Sequence, residues 1–171
     1  MHQTRMLIPA ILAASLLAAC GDDEPSGPAT TFSATLTGAE EVPPVSTVAR
    51  GTASLSLSGG QIVYTVTVTD LQNAVVAHIH LAPQGQNGPV RLNLCGTGAP
   101  QPPCESGSGI LASGSNGVTV GTPAITLDDL IAAMRAGEAY VNVHTDDGAD
   151  PPNSGPGDMA GGEIRGQVVP E

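Results

Sequence analysis

From Phe32 onward the chain alternates apolar and polar residues in short runs. Gln61 to Thr69 (QIVYTVTVT) shows this most clearly. Ile62, Tyr64, Val66 and Val68 share one face, and Thr65, Thr67 and Thr69 share the other. A period of two built from β-branched residues marks a half-buried strand. Phe32 to Thr37 (FSATLT) alternates too, and Gly51 to Ser58 (GTASLSLS) sets Ala53, Leu55 and Leu57 against serines. Ser58-Gly59-Gly60, between the runs Gly51–Ser58 and Gln61–Thr69, predicts a hairpin turn, because Gly supplies positive φ at no steric cost. Further strands are expected at 74–81, 89–94, 117–121, 138–145 and 163–169. Many short strands separated by turns predict an all-β antiparallel sandwich in one domain.

The period changes once. Leu127, Leu130, Ile131 and Met134 form an apolar stripe at helical spacing, which predicts one short helix over about 126–136. Thr126 is placed to cap its first turn and Asp129 to complete a capping box. Asp128 and Asp129 suit the positive end of the helix and Arg135 the negative end. Gly137 stands where a helix commonly stops.

The first 31 residues follow another pattern. Arg5 precedes an uncharged apolar run from Met6 to Ala19, which ends in Ala18-Ala19-Cys20. A stable membrane-spanning helix needs about 20 residues, and this run is shorter. It matches a signal-peptide core with small residues before the cleavage point. Leu17-Ala18-Ala19-Cys20 resembles a bacterial lipobox. The resemblance implies a signal peptide over 1–19 and a diacylglyceryl group on Cys20, with further acylation (palmitate-type chains) at the new amino terminus. Two or more acyl chains anchor a protein stably. Residues 20–31 then form the lipidated Cys and a tether rich in acids, Pro and Gly, with nothing to bury. The expected location is the bacterial cell envelope, with the domain outside the cytoplasm. Gly21 rather than Asp after the Cys implies the outer membrane in a Gram-negative source.

Composition narrows the options for the domain. Phe32, Tyr64 and Tyr140 are its only aromatics, so Val, Ile, Leu and Ala must build the core. There is no lysine, and the net charge of −11 becomes −12 once Arg5 is removed. Nucleic-acid binding relies on Lys and Arg to neutralise phosphates, so no nucleic-acid partner is expected. The membrane is reached through the lipid on Cys20, not through a basic surface. With Cys20 assigned to the lipid, Cys95 and Cys104 remain, separated by the turn-rich GTGAPQPP. In an oxidising compartment they are expected to form a disulfide, with a metal site as the rival reading.

Three histidines carry the candidate chemistry. In Ala74 to Leu81, Val75, Ala77, Ile79 and Leu81 share one face, and His78 and His80 share the opposite one. In Tyr140 to Thr145, Val141 and Val143 point inward while Asn142 and His144 point the other way. If these two strands are neighbours, the three imidazoles converge on one site, and neutral imidazole suits copper or zinc. The alternative is three hydrogen-bonded structural histidines. Asp146, Asp147, Asp150 and Asp158 are candidates for a fourth ligand or, equally, for a solvated loop.

The segments AHIHLAPQGQNGPV (77–90) and AYVNVHTDDG…GGEIRGQVV (139–169) resemble the CHRD domain, the module found in chordin and in many bacterial proteins. FSATLTGAEEVPPVSTVARGTASLSL resembles that domain's opening. The resemblance covers 32–169. It implies a β-sandwich and a recurring binding module more than an enzyme. The segment DDGADPPNSGPGDMAG is longer than the family often has, and is expected to form a loop of its own over the histidines.

A fainter similarity runs to the copper–zinc superoxide dismutase sandwich, where an HVH strand and a late VH strand supply copper ligands. His78, His80 and His144 fall on those motif positions, and Arg165 lies roughly where that family has a substrate-steering arginine. The bridging fourth histidine and a zinc-ligand set are missing, and the expected disulfide is local. Both resemblances imply an immunoglobulin-like or superoxide-dismutase-like sandwich. They leave two functional readings. One is a non-catalytic envelope module, with no catalytic residue, that binds a ligand or protein partner or a metal ion through His78, His80 and His144. The other is a mononuclear copper redox enzyme with Arg165 guiding an anion.

Overall fold

The computed structural model describes residues 27–98, 100–149 and 151–171. The signal peptide and Cys20 expected from the sequence lie outside these residues. The strands are β1 (Thr31–Thr37), β2 (Arg50–Ser58), β3 (Gln61–Leu71), β4 (Ala74–Leu81), β5 (Val90–Cys95), β6 (Gly107–Asn116), β7 (Ala139–Thr145), β8 (Ile164–Gln167) and β9 (Val169–Pro170). Helix α1 (Leu127–Arg135) precedes β7, and a 3-10 turn spans Gly38–Glu40. All strand pairings are antiparallel, in the order β5-β4-β7-β8-β1-β2-β3-β6, with β9 on β1.

Alternation decides which face is buried. In β3, Ile62, Tyr64, Val66 and Val68 are buried while the intervening residues are exposed. These four join Phe32, Leu36, Leu55, Ile79, Leu92, Leu111, Val141, Val143 and Ile164 in one core. The sheet curls around that core until its two ends approach. Asn116 at the end of β6 donates to the Asn93 carbonyl of β5 at 2.9 Å, and Leu92 pairs with Thr119. The result is an all-β sandwich that is nearly closed into a barrel.

The helix forms as its punctuation dictates. Thr126 accepts from Asp129 N, the Asp129 carboxylate accepts from Thr126 N in return, and Gly137 takes φ +69°. Leu130 and Met134 bury the apolar stripe against the core. The hairpin turn at Gly59-Gly60 forms with φ of +58° and +74°.

Three expectations need correction. The strand expected at 117–121 is reduced to the single Leu92–Thr119 bridge. The strand that occupies this side is β6, whose sequence GSGILASGSN lacks alternation and is held by its pairing with β3. Val75 does not share the face of Ala77 and Ile79, because a register irregularity between Ala74 and Val76 turns it outward. The run 163–169 divides into β8 and the short β9, with buried Val168 between them. Cys95 and Cys104 form the expected disulfide, which ties the end of β5 to the following loop.

Candidate metal centre

Strands β4 and β7 are hydrogen-bonded neighbours, and their register sets His78 opposite Asn142, His80 opposite Tyr140 and Val76 opposite His144. The three histidines therefore gather on the face turned away from the core. Ring centroids lie 5.6 Å apart for His78–His80, 5.3 Å for His78–His144 and 6.0 Å for His80–His144. One ring nitrogen from each lies within 4.8 Å of those from the other two.

Two of the rings are held by backbone carbonyls. His80 Nδ1 lies 2.9 Å from Gly88 O, and His144 Nδ1 lies 2.9 Å from Ala160 O. A carbonyl only accepts, so each Nδ1 is assigned the proton and each Nε2 keeps its lone pair. Both Nε2 atoms are buried without a hydrogen-bond partner, and so is Nδ1 of His78. Burial lowers the pKa of all three; His78 and His80 fall to about 4, helped for His78 by the other two rings. At neutral pH the cluster thus presents uncharged imidazoles, the form that ligates metals.

This face of the sheet is covered, which the parity argument alone did not show. Segments carrying Glu41, Gln86 to Gly88 and Ala160 to Gly162 lie over it. Tyr140 is 2 % exposed, and its ring stacks on His80 with centroids 4.8 Å apart. Arg165, on the strand at the other side of β7, places its guanidinium carbon 3.4 Å from the Tyr140 ring centre. Cation–π contact of this kind is strongest when desolvated. Arg165 donates to Gln86 O at 2.7 Å and Asn87 Oδ1 at 3.1 Å. It is 1 % exposed. A steering arginine must be reachable by an incoming anion, and this one braces the 86–88 loop from beneath instead.

Glu41 is also buried. Desolvation raises its carboxyl to about 7 despite the nearby Arg165 and a hydrogen bond with Asn142. Gly162 sits against this pair: a Cβ there would meet both Asn142 side-chain atoms at 2.6 Å and Glu41 Oε1 at 2.7 Å. Glu163, 1 % exposed, accepts from Thr47 Oγ1, Thr145 Oγ1 and Gly157 N and so pins the 146–162 loop to β7. Sequence reading passed over Tyr140, Glu41, Gly88 and Glu163. Only Tyr140 carried a signal, since it has the same parity as Asn142 and His144.

The acids considered as a fourth ligand do not join the histidines. Asp146, Asp147 and Asp158 form a group of their own, and Asp150 lies outside the described residues. The disulfide removes Cys95 and Cys104 from metal binding. Among the described residues the histidine group comprises three imidazoles alone. The donor set fits copper or zinc, each of which accepts neutral imidazole and leaves a further position for another ligand.

The family model for the CHRD domain matches residues 32–152. No curated relative and no solved structure matches the chain. The matched segment contains all three histidines and ends inside the 146–162 loop, while β8 and β9 continue the same sheet beyond it.

Proposed function

The chain belongs to the CHRD-domain family, and on that premise we propose a cell-envelope lipoprotein, anchored through Cys20, whose domain is a non-catalytic module that binds copper or zinc at His78, His80 and His144. The observation that carries this reading is the set of three buried, unpartnered nitrogens on converging rings. A buried polar atom without a partner is costly and demands an explanation. A purely structural histidine resolves the cost with hydrogen bonds on both nitrogens. Here His80 and His144 use Nδ1 for orientation and keep Nε2 free of hydrogen bonds. That division between an orienting hydrogen bond and a free lone pair is how metal-binding histidines are held. The ion leaves the fold with a site into which a ligand or partner donor fits.

Non-catalytic binding is favoured over redox turnover by the setting of Arg165, which is enclosed and hydrogen-bonded to the 86–88 loop. The test is metal analysis of the purified full chain after dialysis, with His80→Ala and His144→Ala alongside. One copper or zinc per chain, lost in both variants and without superoxide turnover, is the expected result. Equal metal content in the variants would remove the histidines from the site, and superoxide turnover would restore the enzymatic reading.

A further inference from the structure

We propose that Asp146, Asp147 and Asp158 form a second cation site, selective for a hard divalent ion of the calcium class, which fixes the 146–162 loop over the histidines. One carboxylate oxygen from each lies within 4.8 Å of those from the other two. Two oxygens bound to one calcium ion at 2.3–2.6 Å lie at most about 5 Å apart, so the spacing suits a shared ion.

The acids alone would be an ordinary solvated cluster, and Asp146 and Asp147 are indeed exposed. Asp158 is different: it is 3 % exposed. Its Oδ2 accepts from Ser154 N and Oγ, whereas its Oδ1 is buried and has no donor. A buried, charged oxygen without a partner, in a carboxylate that closes a triad of acids, points to a cation. Asp146 Oδ1 accepts from Gly148 N and Asp147 Oδ1 from Ala149 N, which leaves each a second oxygen.

Among the described residues, none of the arginine side-chain hydrogen bonds reaches these acids. The chain has no lysine. Arg91, Arg135 and Arg165 donate to Pro123 O, Ala29 O and Gln86 O respectively. Asp146 and Asp147 are exposed, which leaves room for water ligands. Calcium accepts such flexible, partly hydrated shells, while magnesium demands a near-ideal octahedron. The donors are all oxygen, so the site does not compete for the ion held by imidazoles.

The two sites share a segment. Thr145 stands between His144 and Asp146, and its hydroxyl joins Met159 N to Glu163. Ala160, whose carbonyl orients His144, is two residues beyond Asp158. A cation at the acids therefore stiffens the loop that supplies that carbonyl.

The experiment is a calorimetric titration of the full chain, stripped of metals by a chelator, with CaCl2 and separately with MgCl2 at matched ionic strength. Thermal unfolding is read in parallel. One calcium per chain is expected, with Kd around 10⁻⁴–10⁻³ M, the range of extracellular calcium modules. Asp158→Asn and Asp147→Asn should each weaken binding about tenfold or more. Asp158 also holds Ser154, so exposed Asp147 is the variant that leaves the loop's hydrogen bonds least disturbed. His78→Ala should keep full calcium affinity, which separates this site from the histidine site. The thermal midpoint should rise with calcium in the wild type and in His78→Ala, but not in Asp147→Asn. Absence of binding, an equal response to magnesium, or wild-type calcium affinity in Asp147→Asn would each overturn the proposal.

Discussion

His144 Nδ1 lies 2.9 Å from the carbonyl oxygen of Ala160, so a strand residue takes its orientation from the loop between β7 and β8. His80 is held in the same way by Gly88, from the loop between β4 and β5. The strands bring the rings together, and the loops fix which nitrogen carries the orienting hydrogen bond. Altering a loop should therefore change the site without touching a ligand.

Gly88→Ala tests this directly. A Cβ at Gly88 would fall 1.9 Å from Leu81 O and 2.9 Å from Ala82 Cβ. The first neighbour is backbone, so the loop must move and carry the carbonyl away from His80. The variant should lose about 2 kcal/mol or more of stability by urea unfolding. Its metal affinity should fall roughly 10–100-fold, as when other supports of ligating histidines are removed. Unchanged affinity would mean that Gly88 does not orient the ring.

The metal-free chain should lose stability in acid. His78 and His80 have folded values of about 4 against an ordinary 6.5. Between those values the unfolded chain binds more protons, so stability rises with pH through the window. Their contribution is complete above about 6.5 and is lost as pH falls toward 4. For the pair it amounts to a few kcal/mol, reduced by partial exposure of His78. Urea midpoints at pH 7 and pH 5 measure it, and His80→Ala should flatten the slope. An unchanged slope would contradict the buried, neutral state of the ring.

Glu41 acts with the opposite sign. Its folded value of about 7 exceeds the ordinary 4.5, so the folded chain holds the extra proton. The stabilising contribution is present below 4.5 and is lost as pH rises through about 7. Glu41→Gln fixes the neutral form and should gain on the order of 2–3 kcal/mol relative to wild type at pH 8, with little difference at pH 4.5. Because the two windows overlap between 4.5 and 6.5, this variant is needed to expose the histidine slope. A variant equally stable relative to wild type at both pH values would show that Glu41 titrates normally.

The Cys95–Cys104 bridge closes a loop of about ten residues, which corresponds to roughly 2–3 kcal/mol in the chain-entropy model. Reduction by dithiothreitol should lower the urea-unfolding free energy by that amount. Thiol titration of the unreduced, denatured chain should find neither cysteine free. Two thiols from these positions would refute the bridge.

Strands with clean parity were legible from sequence, because burial of one face forces a period of two. β3 shows it from Gln61 to Thr69, and β4 from Ala77 onward; in β7, buried on both faces, the alternation survives in side-chain chemistry, which was enough to show the convergence of His78, His80 and His144. β6 was not legible: its glycines and serines make no pattern, and pairing with β3 supplies what its side chains lack. The cover over the histidines was equally hidden. Glu41 and Gly162 are 121 positions apart and meet at Asn142 only through the fold. Arg165 was visible as a charge beside the candidate site. Its burial under the 86–88 loop was not, because parity gives a face but not what lies on it.

X-ray absorption at the metal edge of the copper- or zinc-loaded chain tests the histidine centre most directly. The expected spectrum has three imidazole nitrogens at about 2.0–2.1 Å for zinc and no sulfur scatterer. His78→Ala, His80→Ala and His144→Ala should each remove one imidazole or abolish loading. A first shell of oxygen alone, or the same three-imidazole spectrum in any of those variants, would contradict the account.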